Sequence, residues 1–156
     1  MEFKIYASAV IEQNGRILLV QEGKADNFEK WNLPCGHLEL AEMPLDGAKR
    51  ETFEETALTI EVTGFLGVYS SVGANHSIRF VYCSNEFAGE AKPGDEILAV
   101  KWFEPVELRN LDEQRFVSPL VLEAAVADYV NGRQFPATVV RKITMDNKIK
   151  YHGEVA

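Results

Sequence analysis

The first twenty positions hold two apolar runs separated by Glu12-Gln13-Asn14-Gly15. Lys4 to Ile11 has the pattern of a strand, Asn14-Gly15 supplies a hairpin turn, and Arg16 to Val20 reads as the returning strand. Gly23 to Lys30 is polar and is expected to be a loop. Leu45 to Leu58 carries helical spacing. Thr59 to Tyr69, Ile78 to Phe87 and Ile97 to Phe103 are strand candidates rich in Val, Ile, Phe and Tyr, with Lys92-Pro93-Gly94 as a turn before the last. Ser118-Pro119 opens a second helix that runs to about Val130, where Asn131-Gly132 stops it. Beyond Pro136, Thr138 to Thr144 and Lys148 to Tyr151 flank Asp146-Asn147, the pattern of a terminal hairpin. No repeat, low-complexity tract or linker interrupts the chain. This order predicts an α/β or α+β fold, with one domain over residues 1–136 and a C-terminal tail over 137–156.

Composition narrows the partners more than the fold. A chain of 156 residues fits one domain with one sizeable core. Its net charge is -8, from 24 acidic and 16 basic side chains. A binder of polymeric nucleic acid usually presents a basic face, so that partner class is not expected. A small phosphorylated substrate stays open, because bound divalent cations can supply positive charge. No run approaches the roughly 18 apolar residues of a membrane span, and from Met1-Glu2-Phe3-Lys4 no signal peptide is expected. Two cysteines, Cys35 and Cys83, are too few for a disulfide framework; reduced thiols in a cytoplasmic protein are expected.

The candidate chemistry lies in Gly36 to Leu58, GHLELAEMPLDGAKRETFEETAL. With Glu51 at zero and about 100° per residue, Glu54 falls near about -60° and Glu55 near about +40°. The three carboxylates share one arc of the helix. Leu45, Ala48, Thr52 and Thr56 form a separate stripe that can face a core. Arg50 and Glu54 are four apart and can pair. Like charges this close repel by on the order of a kcal/mol per pair. Either water solvates them, the ordinary fate of an acidic helix face, or hard divalent cations offset the repulsion while bridging substrate phosphates. The spacing alone leaves both open.

The wider pattern resembles the Nudix box, G-x5-E-x7-R-E-U-x-E-E-x-G-U, where U is bulky and apolar. Gly36, Glu42, Arg50-Glu51, Glu54-Glu55 and Leu58 fall at its positions. Two positions depart: Thr52 stands at a U, and Ala57 replaces the closing Gly. Neither is a metal ligand or base in that family, so the departures touch helix packing and helix exit only. Trp31-Asn32-Leu33-Pro34 before Gly36-His37-Leu38-Glu39 looks like the family's W-x-L-P-G-G-x-x-E approach, with Cys35 at a usual Gly. The resemblance covers roughly residues 4 to 112, including Lys101-Trp102-Phe103. It implies an α/β/α sandwich with a mixed sheet between helices.

It also implies roles. Glu51, Glu54 and Glu55 would be the principal ligands of Mg²⁺, or of Mn²⁺ in its place, assisted by the backbone carbonyl of Gly36 or Cys35. One of them, or a carboxylate from a distant loop, would be the general base. Arg50 would hold the glutamates in position, with Glu42 and Glu39 ordering the loop and Glu39 a candidate outer contact; His37 would shape the loop. Glu96, after Asp95, is a candidate extra carboxylate, although a solvated loop end is as good a reading. His76, in Gly73 to Ser77, is a candidate substrate contact on a flexible loop, where a lone surface His is the commoner case. Phe28 and Trp31 are candidates for stacking on a ring, weighed equally against packing. No Cys-His pair supports Cys35 as a nucleophile.

Substrate class is read from outside the box. The Pro common in ADP-ribose pyrophosphatases, about fifteen residues beyond it, is absent at Gly73-Ala74-Asn75; His76-Ser77 stand near where dinucleoside polyphosphate hydrolases have a Tyr. Arg115 to Val121 and Gly132-Arg133-Gln134-Phe135-Pro136 look like the ending of the bacterial phosphatase NudJ subfamily. That likeness implies hydrolysis of nucleoside di- and triphosphates or related pyrimidine pyrophosphates, by a monomer or homodimer. The alternatives are an ADP-ribose or nucleotide-sugar pyrophosphatase and, from another class, a non-catalytic nucleotide sensor. Retention of all three box glutamates argues against the sensor, and the acidic balance argues against RNA cap removal.

Overall fold

In the computed structural model, β1 (Phe3–Gln13) and β2 (Arg16–Glu22) form the antiparallel hairpin at the anticipated turn. Asn14 and Gly15 both adopt positive φ, 51° and 80°, as a two-residue turn between twisted strands requires. The structure describes residues 1–143, residue 145 and residues 149–151.

The sheet forks along one edge of β1. Register places only Glu12 and Gln13 opposite β2, whereas Tyr6 to Ser8 pair with β4 (Cys35–His37). β3 (Trp31–Asn32) pairs with β2, so the chain crosses the fork between residues 32 and 35. Pro34 lies in the gap, its carbonyl accepting the Ala9 N–H at 3.2 Å and the Ser8 hydroxyl at 2.9 Å. The helix α1 (Pro44–Thr56) follows, then β5 (Thr59–Glu61), β6 (Gly64–Val72) and β7 (His76–Ser84). β7 runs parallel to the other edge of β1, from Phe3↔His76 to Ile11↔Ser84, and β6 lies antiparallel beyond it. After β8 (Glu86–Ala88), β9 (Ile97–Phe103) returns to pair with β2 and completes a mixed seven-stranded sheet.

Alternation sorts side chains onto two faces. Ala7, Ala9 and Ile11 of β1 pack on the side of Ala48 and Leu58, whereas Val10, with Val81 and Cys83 of β7, packs against Leu122, Ala125 and Val126. The latter three belong to α2 (Pro119–Val130). The helices therefore cover opposite faces, and the fold is an α/β/α sandwich around a mixed sheet. Among the described residues, no helix is long and apolar enough to cross a membrane.

Two expected strands are each broken in two. Thr59 to Tyr69 divides into β5 and β6, and Ile78 to Phe87 into β7 and β8; β5 and β8 pair with each other as a separate two-stranded ribbon. The cause is a side-chain pin. The Ser84 hydroxyl donates toward the carbonyls of Glu61 at 2.6 Å and Glu86 at 2.9 Å, and the Thr63 N–H donates to the Cys83 carbonyl, so both strands bend together. The loop at 23–30 contains a 3-10 turn, Ala25–Asn27. In the tail, β10 (Arg141–Ile143) pairs antiparallel with β11 (Ile149–Tyr151), and Ala137 and Val140 pack on the α1-side core. The Asp146-Asn147 turn lies outside the described residues.

Candidate active site

The helix α1 starts at Pro44, which lacks an N–H where none is needed. It ends at Ala57, in the left-handed region at φ 62°, with its N–H donating to the Phe53 carbonyl at 2.9 Å. The missing glycine thus leaves the helix exit intact at a cost of about 1 kcal/mol. Gly47, Ala48, Thr52 and Thr56 form its buried face. A Cβ on Gly47 would crowd the side chains of Leu38 and Ala7, so small residues let the helix approach β1 closely. Thr52 at the bulky position leaves its hydroxyl buried and unpartnered, while the Thr56 hydroxyl donates to the Thr52 carbonyl at 2.6 Å.

Close approach also sets Glu51 and Glu55, which lie among these positions on the helix, against β4. A side chain at Gly36 would overlap the Glu51 carboxylate, so glycine is required there for backbone and carboxylate to meet. Arg50 is the organising cation. Its Nε donates to Glu42 Oε2 at 2.7 Å, its Nη1 to Glu51 Oε1 at 2.7 Å and Glu54 Oε2 at 3.2 Å, and its Nη2 to the His37 carbonyl at 3.1 Å. Glu39 stands at the exposed edge, 3.8 Å from Nη1. Glu55 has a different environment: its Oε1 accepts the Cys35 N–H at 2.8 Å.

The electrostatics follow from these partners. The Arg50 hydrogen bonds hold Glu42 below its ordinary range. Burial raises Glu51, with Arg50 opposing the rise. Burial pushes Glu55 up to about 9; the Cys35 N–H opposes this, and the charges of Glu22 and Glu51 add to it. Glu22, at the end of β2, is itself raised by burial despite the Asn32 side-chain amide donating to it at 3.3 Å. The pocket thus holds more negative charge than Arg50 balances. Its donors are hard oxygens, the set that suits magnesium or manganese. A divalent cation beside Glu51 and Glu55 would relieve the repulsion, so these residues fit such an ion. As arranged, no group of three or more His, Cys, Asp or Glu side chains among the described residues forms a ready-made metal cage; Arg50 draws Glu51 and Glu54 to itself.

Other candidates fall in varied places. Glu96 reaches the rim, where it pairs with Lys24 at 3.0 Å and its charge is felt at Glu22. Trp31 meets Phe103 edge-on at 5.2 Å and packs against the α2-side core. Phe28 is exposed in the loop. His76 is a correction: it is not in a flexible loop but opens β7, its ring against Phe3 at 4.8 Å and its Nε2 2.7 Å from the Ser70 hydroxyl. Burial pushes the Cys35 thiol up to about 11, which removes it as a thiolate nucleophile near neutral pH. Both cysteines are free. Glu22 was missed from sequence because it lies outside the box; the signal was an acid at the end of an otherwise buried strand.

Comparison with known proteins agrees with this geometry. Residues 3–124 match the NUDIX domain family. A MutT-like protein of Streptomyces ambofaciens is 35% identical over 102 residues, which span 65% of this chain and 64% of that relative's length. Phosphatase NudJ of Escherichia coli K12 is 28% identical over 143 residues, 87% of this chain and 89% of that protein. A NUDIX hydrolase structure from Nitrosomonas europaea superposes with a TM-score of 0.73 at 26% identity, covering 89% of this chain and 96% of that one. With the family matched across most of its length and the glutamate helix seated against Gly36, the chain belongs to the NUDIX domain family and is a Nudix hydrolase.

Proposed function

We propose that the chain hydrolyses a phosphoanhydride bond in small nucleoside di- or triphosphates or related pyrimidine pyrophosphates. The observation that carries this reading is the half-buried carboxylates Glu51 and Glu55, pressed against the Cys35-Gly36 backbone, with Arg50 bonded to Glu51 but not to Glu55. Glu51, Glu54 and Glu55 would hold magnesium, or manganese in its place, with a backbone carbonyl at Gly36 or Cys35 assisting. When bound, the ion neutralises charge on the phosphate oxygens and favours ionisation of water.

The chain's own residues do the rest. A glutamate of this group accepts the proton as the water oxygen attacks phosphorus, and the bridging P–O bond breaks toward the leaving phosphate. Arg50 is a positioning residue: its bonds to Glu42, Glu51 and Glu54 fix those carboxylates relative to the His37 carbonyl. Glu22, Glu39 and Glu96 line the approach and add negative charge around it. Overall likeness to phosphatase NudJ supports the substrate class. The test is a panel of nucleoside di- and triphosphates and pyrimidine pyrophosphates with magnesium, with orthophosphate and pyrophosphate measured separately. Turnover of at least one with release of either product is expected. No turnover of any, with magnesium or manganese, would overturn the proposal.

A further inference from the structure

One buried cation lies outside the carboxylate group. Arg79 is on β7, 5% exposed, and its Nε and Nη1 are buried without a hydrogen-bond partner. No carboxylate forms an ion pair with it among the described residues. Its guanidinium carbon lies over the Tyr6 ring, 5.6 Å from the ring centroid. A face-on aromatic contact offsets little of the cost of burying a cation, and it satisfies neither N–H. Such an arrangement persists in a folded protein when something outside the chain supplies the acceptor.

The strand registers show where that acceptor would come from. His37 of β4 lies opposite Tyr6 of β1, Tyr6 opposite Arg79 of β7, and Arg79 opposite Tyr69 of β6. These four residues form one row across four strands. Two residues on from Arg79, Val81 joins the α2-side core, so the row lies on the α2 face. The row is graded: His37 is exposed, Tyr6 half-buried and Arg79 buried. The His37 and Tyr6 rings are 4.5 Å apart. The same His37 gives its carbonyl to Arg50, so the row touches the carboxylate group at His37 and reaches Arg79 two strands away. The positive charge of Arg79 is also felt at Cys35 and Glu22.

We infer that Arg79 is a specificity-determining residue, which hydrogen-bonds the acceptor edge of the flat ring carried by the substrate while that ring lies along His37 and Tyr6. This rests on the phosphoanhydride reading, which places the phosphates at Glu51 and Glu55. A guanidinium donates only, and from a planar fork, so it selects rings that present adjacent oxygen or nitrogen acceptors. Tyr6 and His37 add a surface for stacking.

The test uses the full chain, its R79M and R79K variants and three probes without metal: cytidine monophosphate, guanosine monophosphate and ribose 5-phosphate. Both nucleotides present adjacent ring acceptors; the sugar phosphate has none. Calorimetry is expected to show that the nucleotide bound by the wild type loses about ten- to a hundredfold in affinity in R79M, the scale of one hydrogen bond to a charged group. R79K recovers part of that loss, and ribose 5-phosphate binds all three proteins alike. R79M also melts at or above the wild-type temperature, because the substitution removes an uncompensated buried charge. Equal weakening of ribose 5-phosphate would mean that Arg79 reads phosphate, and would overturn the inference. So would unchanged nucleotide affinity in R79M, no nucleotide binding to the wild type, or a lowered melting temperature, which would make Arg79 structural. Wild-type turnover is measured in parallel. If it persists while R79M binds nucleotide normally, only the Arg79 inference fails; if no phosphoanhydride is cleaved, the reading beneath it fails.

Discussion

The two long helices sit on opposite faces of one sheet and are nearly equal in length, 13 residues in α1 and 12 in α2. They are held by different means. The α2 helix buries Leu122, Ala125 and Val126 in a cluster with Val10, Leu66 and Val81, an ordinary apolar seam. The α1 helix buries Pro44, Gly47, Ala48, Thr52 and Thr56, and its one large apolar contact with the core, Leu45, is only partly buried. It gains close approach more than apolar area, and it is tied down by Arg50, which bonds Glu42, Glu51, Glu54 and the His37 carbonyl. The contrast shows a division of labour. One helix supplies stability and can lose its function-neutral groups, whereas the other carries charge that folding alone does not favour.

Substitutions on the two helices should therefore fail differently. Glu54→Gln or Glu55→Gln is expected to lower kcat by at least about a hundredfold, the scale of losing a major electrostatic term, without lowering the melting temperature. Steady-state kinetics and thermal melts on the same preparations check the pair; near-wild-type kcat would remove the assigned site. Leu122→Ala on α2 is expected to do the reverse. It should cost about 3 kcal/mol in urea unfolding through the cavity it leaves, with kcat of the folded fraction retained.

The comparison also has a pH signature. Glu55 is raised in the folded chain, so the fold favours its protonated form. That contribution is present below the ordinary carboxylate range and is lost as pH rises toward about 9. With divalent ions chelated, the melting temperature should therefore fall as pH rises from about 5 to about 9. Magnesium, which takes the place of the proton, should flatten the slope, and Glu55→Gln should reduce it without metal. A slope identical in Glu55→Gln would show that other groups carry it. Glu42 has the opposite sign: Arg50 lowers it, so its contribution is present above the ordinary range and lost only in acid. The smallest effect is expected at the helix exit, where Ala57→Gly should add about 1 kcal/mol in urea unfolding by relieving the left-handed Ala. A loss there would mean that the Ala57 methyl has a packing role.

Much of this was legible along the chain. The hairpin at Asn14-Gly15, the limits of β9 and the span of α2 follow from turn chemistry, alternation and helix punctuation, all of which act over a few residues. The shared arc of Glu51, Glu54 and Glu55 follows from helix pitch alone, and so does the buried stripe of Ala48, Thr52 and Thr56. Breaks between β5 and β6 and between β7 and β8 were not legible. They depend on the Ser84 hydroxyl meeting the Glu61 carbonyl, two residues far apart in the chain.

Local order along the backbone thus determined which elements form and which residue types could do chemistry. Only tertiary structure decided which charges are compensated. Glu55 is an ordinary glutamate in the sequence; burial beside Glu22 and the Cys35 N–H makes it a reluctant anion. Arg79 is one cation in an apolar strand until β1, β4 and β6 set its neighbours and leave two of its nitrogens unpartnered. The reason is physical: helix and strand periodicity are set by neighbouring dihedral angles, whereas a charge's environment is set by whatever the rest of the chain brings within a few ångströms.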